Sequence, residues 1–283
     1  MSAHRNILLT LFFAMAAYAE TGSLRIYFLQ LPVGQEAYEL KDNTLTASFE
    51  YTERGSNVAM KATLKMKDDL TPEHFEAHGR AYRPFAVDES ITPQAMDRPF
   101  FTVATYSPLS VQMMLLRYWL AREKPIRLRL LPGDRSAEIE QHATESVNGH
   151  ILTRYSISEV VWGRESVWLD EKQQIVAAVT YAGNLPIEAV RDDYRDAFPQ
   201  FIRESVSDRM HELHSVTQRI KPLQNGAYAI TGATVIDGTG AAPRQATVTV
   251  VNGRIVAVGA RPTDLRTIDG TGKTLLPGLW EMH

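Results

Sequence analysis

Asn57-Val-Ala-Met-Lys-Ala-Thr-Leu-Lys-Met-Lys67 decides the fold class. Val58, Met60, Ala62, Leu64 and Met66 alternate with Ala59, Lys61, Thr63 and Lys65. A period of two belongs to a β-strand with one buried and one wet face, and one solvated face is the habit of antiparallel sheets. The preceding run, Thr44 to Arg54, reads as its partner through the tight turn Arg54-Gly55-Ser56-Asn57, so a short hairpin sets the register.

The same grammar extends in both directions. From Ser23 to about Ala182 short runs of β-branched and aromatic residues are separated by turn signals, as in an antiparallel all-β domain. Gly149 to Ser158, Val160 to Asp170 and Gln174 to Tyr181 continue as a meander, with Asp170-Glu-Lys-Gln as one of its turns. One helix interrupts the sheet. Ser107-Pro108 offers an N-cap and a first-turn proline, Leu109 to Glu123 is rich in helix formers, and Pro125 ends it. Met113, Leu116, Tyr118 and Leu120 make that helix apolar enough to be covered. A long antiparallel sheet curling around one helix is similar in pattern to the half-barrel of periplasmic lipoprotein carriers, and its concave face would suit an acyl chain or another apolar ligand.

Beyond Ala189 the period changes. Phe198, Phe201, Ile202, Val206, Met210, Leu213 and Val216 recur at three and four residues, one stripe of a long amphipathic helix. Pro199 suits its first turn, Lys221-Pro222 stops it, and Gln224-Asn225-Gly226 is a linker. The expected fold is therefore mainly β (α+β): a curved antiparallel sheet with a covering helix, a long amphipathic helix, then a small β-sandwich piece. The domains fall at 1–19, a leader; 20–196, the β-rich domain; 197–221, the connecting helix; and 222–283, a second β domain.

Composition excludes some functions. The chain has 283 residues, 44% hydrophobic and 22% charged, with a formal net charge of −3, an ordinary globular balance with room for two domains and no electrostatic footprint for nucleic acid. The basic stretch Arg117 to Arg129 is interleaved with Leu, Trp and Ile and reads as element surface. His4-Arg5, the apolar run Ile7 to Ala17 and then Ala17-Tyr18-Ala19 follow the order of a secretory signal peptide, and the run is too short to span a bilayer. With no cysteine there is neither a lipid-bearing Cys nor a disulfide framework. A soluble periplasmic or secreted protein without a membrane anchor is expected, stabilised by packing alone.

Several residues look chemical without the spacing for it. His211 and His214 are three apart, whereas a helical zinc-protease pair needs four. His74 and His78 are four apart in β-type text, where they would stand about 13 Å from each other. Gly238-Thr-Gly240 lacks the third glycine of a nucleotide loop, and no Gly-x-Ser-x-Gly elbow occurs. No catalytic residue is assigned.

The last stretch carries a resemblance. Gly-Ala-Thr-Val-Ile-Asp-Gly-Thr-Gly240, Val-Asn-Gly-Arg-Ile-Val-Ala-Val-Gly259 and Ile-Asp-Gly-Thr-Gly-Lys-Thr-Leu-Leu-Pro-Gly-Leu-Trp-Glu-Met-His283 resemble the opening of amidohydrolase-superfamily enzymes of the imidazolonepropionase-like and prolidase-like group. The match covers Ala227 to His283. It implies a composite β domain against a (β/α)₈ barrel, a small-molecule substrate, and a divalent metal, zinc above all, whose bound water attacks a C–N-bonded carbon. By that match His283 is a metal ligand, the first of a His-x-His pair. Glu281 stands where the family more often has Asp. The second His, the later ligands and the general-base Asp do not appear, so the resemblance implies an inactive N-terminal fragment whose partner would be the missing barrel of the same chain. It also implies poor solubility, because an apolar first barrel strand would lie uncovered. A second reading stays open beside it: a periplasmic binding or carrier module for an apolar ligand, built on the curved sheet, with a vestigial hydrolase segment behind.

Overall fold

The computed structural model describes residues 19–53, 55–81, 86–94, 96–103, 107–160, 164–180, 187–220, 224–259 and 264–278. The expected leader, apart from Ala19, and the expected ligand His283 lie outside the described residues. The chain divides into two compact units, 1–210 and 211–283.

In the first unit, β1 (Glu20–Phe28), β2 (Leu31–Lys41), β3 (Thr44–Glu53), β4 (Ser56–Met66), β5 (Pro72–Arg80) and β6 (Ala86–Ile91) run as an antiparallel meander. The decisive stretch is β4, paired with β3 from Thr44↔Lys65 to Glu53↔Ser56. A βαβ excursion follows: β7 (Phe100–Thr102), α1 (Leu109–Ala121) and β8 (Leu128–Leu131), with β7 and β8 parallel and β9 (Arg135–Ala137) antiparallel to β8. A second meander comprises β10 (Ile139–Val147), β11 (His150–Ser158), β12 (Arg164–Asp170), β13 (Ile175–Thr180) and β14 (Ile187–Val190). Pairing of Arg25–Phe28 in β1 with Ile187–Val190 in β14 welds the two meanders into one eleven-stranded sheet, ordered β10 to β14 and then β1 to β6. Within that order β10 and β6 are its two edges, and the sheet does not close into a barrel.

The sheet wraps α1. Laid flat, eleven strands at about 4.8 Å would span about 48 Å, while thirteen helical residues extend about 20 Å. One continuous apolar core nevertheless contains Val87 of β6, Phe75 of β5, Leu24 of β1 and Ile157 of β11 together with α1. Only a curved sheet brings such distant strands onto one helix. α1 itself is apolar nearly all round, and Ser110 to Trp119 are all buried, as expected of a helix covered on every side. The sheet's other face bears a smaller core in which Tyr27, Trp168, Val176 and Val190 meet Tyr194, Phe198 and Phe201. The latter three come from a 3₁₀ turn at Asp192–Ala197 and from the start of α2 (Phe198–Arg219). Of the apolar stripe of α2, Phe198 and Phe201 are buried, whereas Val206 and Met210 are exposed.

The second unit holds β15 (Ala227–Val235), β16 (Arg244–Val251), β17 (Arg254–Gly259), β18 (Arg266–Asp269) and β19 (Thr274–Leu275). β15 pairs antiparallel with β16 and parallel with β18 and β19. The β16–β17 hairpin turns at Asn252-Gly253, both with positive φ (49° and 76°), the type I′ geometry that an Asn-Gly pair selects. Val235, Val248 and Val250 form its buried centre.

Candidate functional site

The site is the layer between α1 and the sheet. Polar side chains fasten α1 at several points. The cap position falls on Pro108 and not on Ser107, and Glu36 of β2 meets the helix N-terminus: the Leu109 and Ser110 N–H groups each donate to a Glu36 carboxylate oxygen at 2.8 Å. Pro108 occupies the cap position and has no side chain able to accept. The carboxylate there meets two otherwise orphaned donors and the positive end of the helix dipole. Burial still pushes Glu36 above the ordinary carboxylate range, with Ser110 and Leu109 opposing. Midway, Arg117 donates to both oxygens of Glu20 at 3.0 and 2.7 Å and to the Gln173 carbonyl at 2.9 Å. At the C-terminal end Arg122 reaches Asp69 and Thr71. The Arg122 hydrogen bond holds Asp69 down at about 2.

Between these fastenings the layer is apolar and rich in methionine. Met113 and Met114 of α1 lie in one core with Met60 and Met66 of β4, and Trp119 packs edge-on against Tyr155 at 6.3 Å between ring centroids. Thioether side chains are flexible and fill irregular space. One polar pair sits among them. Glu165 of β12 is 1% exposed and Gln112 of α1 2%. Neither carboxyl oxygen of Glu165, nor the amide oxygen of Gln112, makes a hydrogen bond of good geometry among the described residues, although the Gln112 side chain is near enough to act on the carboxyl. Burial raises Glu165 to about 8, with the Gln112 side chain pulling the other way, so the group is chiefly a neutral acid at pH 7.

The opposite face carries a different cluster. Arg154 of β11 stands 3.7 Å from Glu145, 3.0 Å from Glu204 and 3.2 Å from Asp208, and Trp168 donates to Glu145 at 3.3 Å. Burial, and then Glu204, raise Glu145. This arrangement ties the start of α2 to the sheet.

The described histidines do not assemble a centre. His211 and His214 lie on α2 and are exposed. His74 and His78 sit on β5, bonded to Thr92 at 2.9 Å and Asp88 at 2.6 Å. Among the described residues no group of three or more His, Cys, Asp or Glu is disposed to hold a metal, and no helix is long and apolar enough to cross a membrane.

No protein-family model matches the chain, and no curated protein matches it. Among solved structures it is similar to a DUF1329 family protein from Desulfovibrio piger ATCC 29098, at 10% identity over 64% of this chain and 81% of that one, with a TM-score of 0.20. That comparison names a family other than the amidohydrolases, and the expectation of an amidohydrolase fragment is corrected accordingly.

The residues that carried the resemblance have local duties. Asp-Gly-Thr-Gly occurs twice, at 237–240 and 269–272. In each copy the Asp carboxylate accepts from the backbone N–H of the Thr two residues on, at 3.1 and 2.9 Å. These are Asx turns, which any compact sheet can use. Leu275 pairs with Val235 as the end of a short parallel strand, and most of the expected first barrel strand lies outside the described residues.

Proposed function

We propose that the chain is an exported binding module that carries an apolar small molecule in the layer between α1 and the sheet wrapped around it. The observation that carries this reading is α1 itself, a buried helix that shares its apolar core with a sheet having two separate edges. A closed barrel has a fixed interior, whereas an open sheet admits a guest by splaying an edge. Met60, Met66, Met113 and Met114 fill the layer when it is empty and repack around an acyl chain. Polar contacts fasten α1 at its start, at Arg117 and just past its end at Arg122, leaving the apolar side chains between them to the ligand. Export rests on the order of charge, apolar run and Ala17-Tyr18-Ala19 at the N-terminus.

The test is displacement of a fluorescent apolar probe, 1-N-phenylnaphthylamine, from the full chain by dodecanol. Saturable one-site displacement at micromolar concentration is expected. Probe fluorescence that rises without saturation would remove the reading.

A further inference from the structure

We infer that Glu165 and Gln112 are a recognition point for a primary ammonium group, so that the ligand class is an aliphatic amine with its chain in the layer under α1. This rests on the proposed apolar-ligand reading and adds the chemistry of the ligand's head. Glu165 points toward α1, because it shares strand parity with Val167 and Leu169 of that core, whereas Ser166 and Trp168 face α2. Its cross-strand neighbours are Ile157 and Thr180. The cation nearest in kind, Arg117 on the same helix, is engaged by Glu20 and the Gln173 carbonyl.

The pair therefore presents three buried oxygens that no well-formed hydrogen bond satisfies among the described residues, two from Glu165 and one from Gln112, with Gln112 beside the carboxyl. All three are acceptors once the acid is ionised, and a primary ammonium brings three N–H donors. A leucine at 165 would fill comparable volume without any polar group to desolvate, so packing does not call for the acid. An ammonium would turn the burden into a charge-assisted bond.

Burial keeps Glu165 protonated in the empty protein, and Gln112 is the one side chain that acts on its titration. An amine that arrives as the ammonium ion displaces the Glu165 proton, which leaves for solvent, and an ammonium–carboxylate pair remains.

The experiment is isothermal titration of the full chain at pH 7 with dodecylamine, dodecanol and dodecanoate below their micelle concentrations, in two buffers of different ionisation enthalpy. Expected are an amine affinity about tenfold above the alcohol, dodecanoate weakest, and release of about one proton with the amine alone. E165Q should lower amine affinity about tenfold and abolish the release. E204Q, on the opposite face, should bind the amine as the parent does. If dodecanol binds but the amine binds no better, or E165Q keeps both preference and proton release, the recognition point is wrong while the apolar-ligand reading stands. If none of the three binds, both fall.

Discussion

Glu165→Gln should make the protein more stable, and only above the acid range. In the unfolded chain the carboxyl titrates near 4.5, while burial holds it near 8 in the folded protein. Between those values the folded state keeps a proton that the unfolded state has lost, so stability falls as pH rises, by about 1.4 kcal/mol per unit. Below about 4.5 both states are protonated and there is no penalty; above about 8 both are ionised and the full penalty applies. From pH 5 to pH 9 the loss amounts to about 4 kcal/mol. Glutamine keeps the shape and the polar atoms without a proton to lose. The variant should match the parent near pH 5 and exceed it by about 3–4 kcal/mol at pH 9. Urea unfolding of both proteins at pH 5, 7 and 9, followed by circular dichroism, gives the difference directly, since every other titrating group is common to the two chains. A difference that stays constant across this range would refute the assignment of a buried acid held protonated by its surroundings.

Glu36→Ala removes the acceptor from the Leu109 and Ser110 N–H groups; an unfolding free energy lower by about 2–3 kcal/mol is expected, and a change within about 0.5 kcal/mol would contradict the cap. Arg154→Met leaves Glu145, Glu204 and Asp208 facing one another. Their mutual repulsion goes uncompensated, so a loss of about 2–4 kcal/mol is expected at pH 7; a change within about 0.5 kcal/mol would speak against the cluster. Gly34→Ala drives a Cβ into the Glu50 carbonyl oxygen and the Tyr51 backbone across β2 and β3. Loss of at least about 2 kcal/mol in a thermal or urea melt is expected, and a melt like the parent's would show that the strands can part there.

Much of the sheet is legible locally. The alternation of Val58 to Met66 marks β4, and Thr44 to Arg54 differs from the observed partner strand, Thr44–Glu53, by one residue. Asn252-Gly253 likewise announces its hairpin. The join of β1 to β14 leaves no local mark, because it pairs residues more than 150 positions apart, and β14 lies where the sequence reads as the approach to a helix. Glu36 was findable: it shares parity with Tyr38 and Leu40, an acid on an apolar face. Glu165 was not, since Glu165 to Leu169 are all buried and a strand covered on both faces shows no alternation. The amidohydrolase resemblance arose where Asp-Gly-Thr-Gly turns and short valine-rich strands recur, and those residues serve turn geometry and a small core.

Trp119 offers the most direct test that a ligand lies under α1, because it is buried in that layer against Tyr155, whereas Trp168 is buried on the opposite face against Phe201. Titration of the full chain with a bromine-tagged dodecanol, read by tryptophan fluorescence, should give saturable quenching that is largely lost in Trp119→Phe and retained in Trp168→Phe. Quenching that survives Trp119→Phe and disappears with Trp168→Phe would place the ligand on the other face and contradict the account.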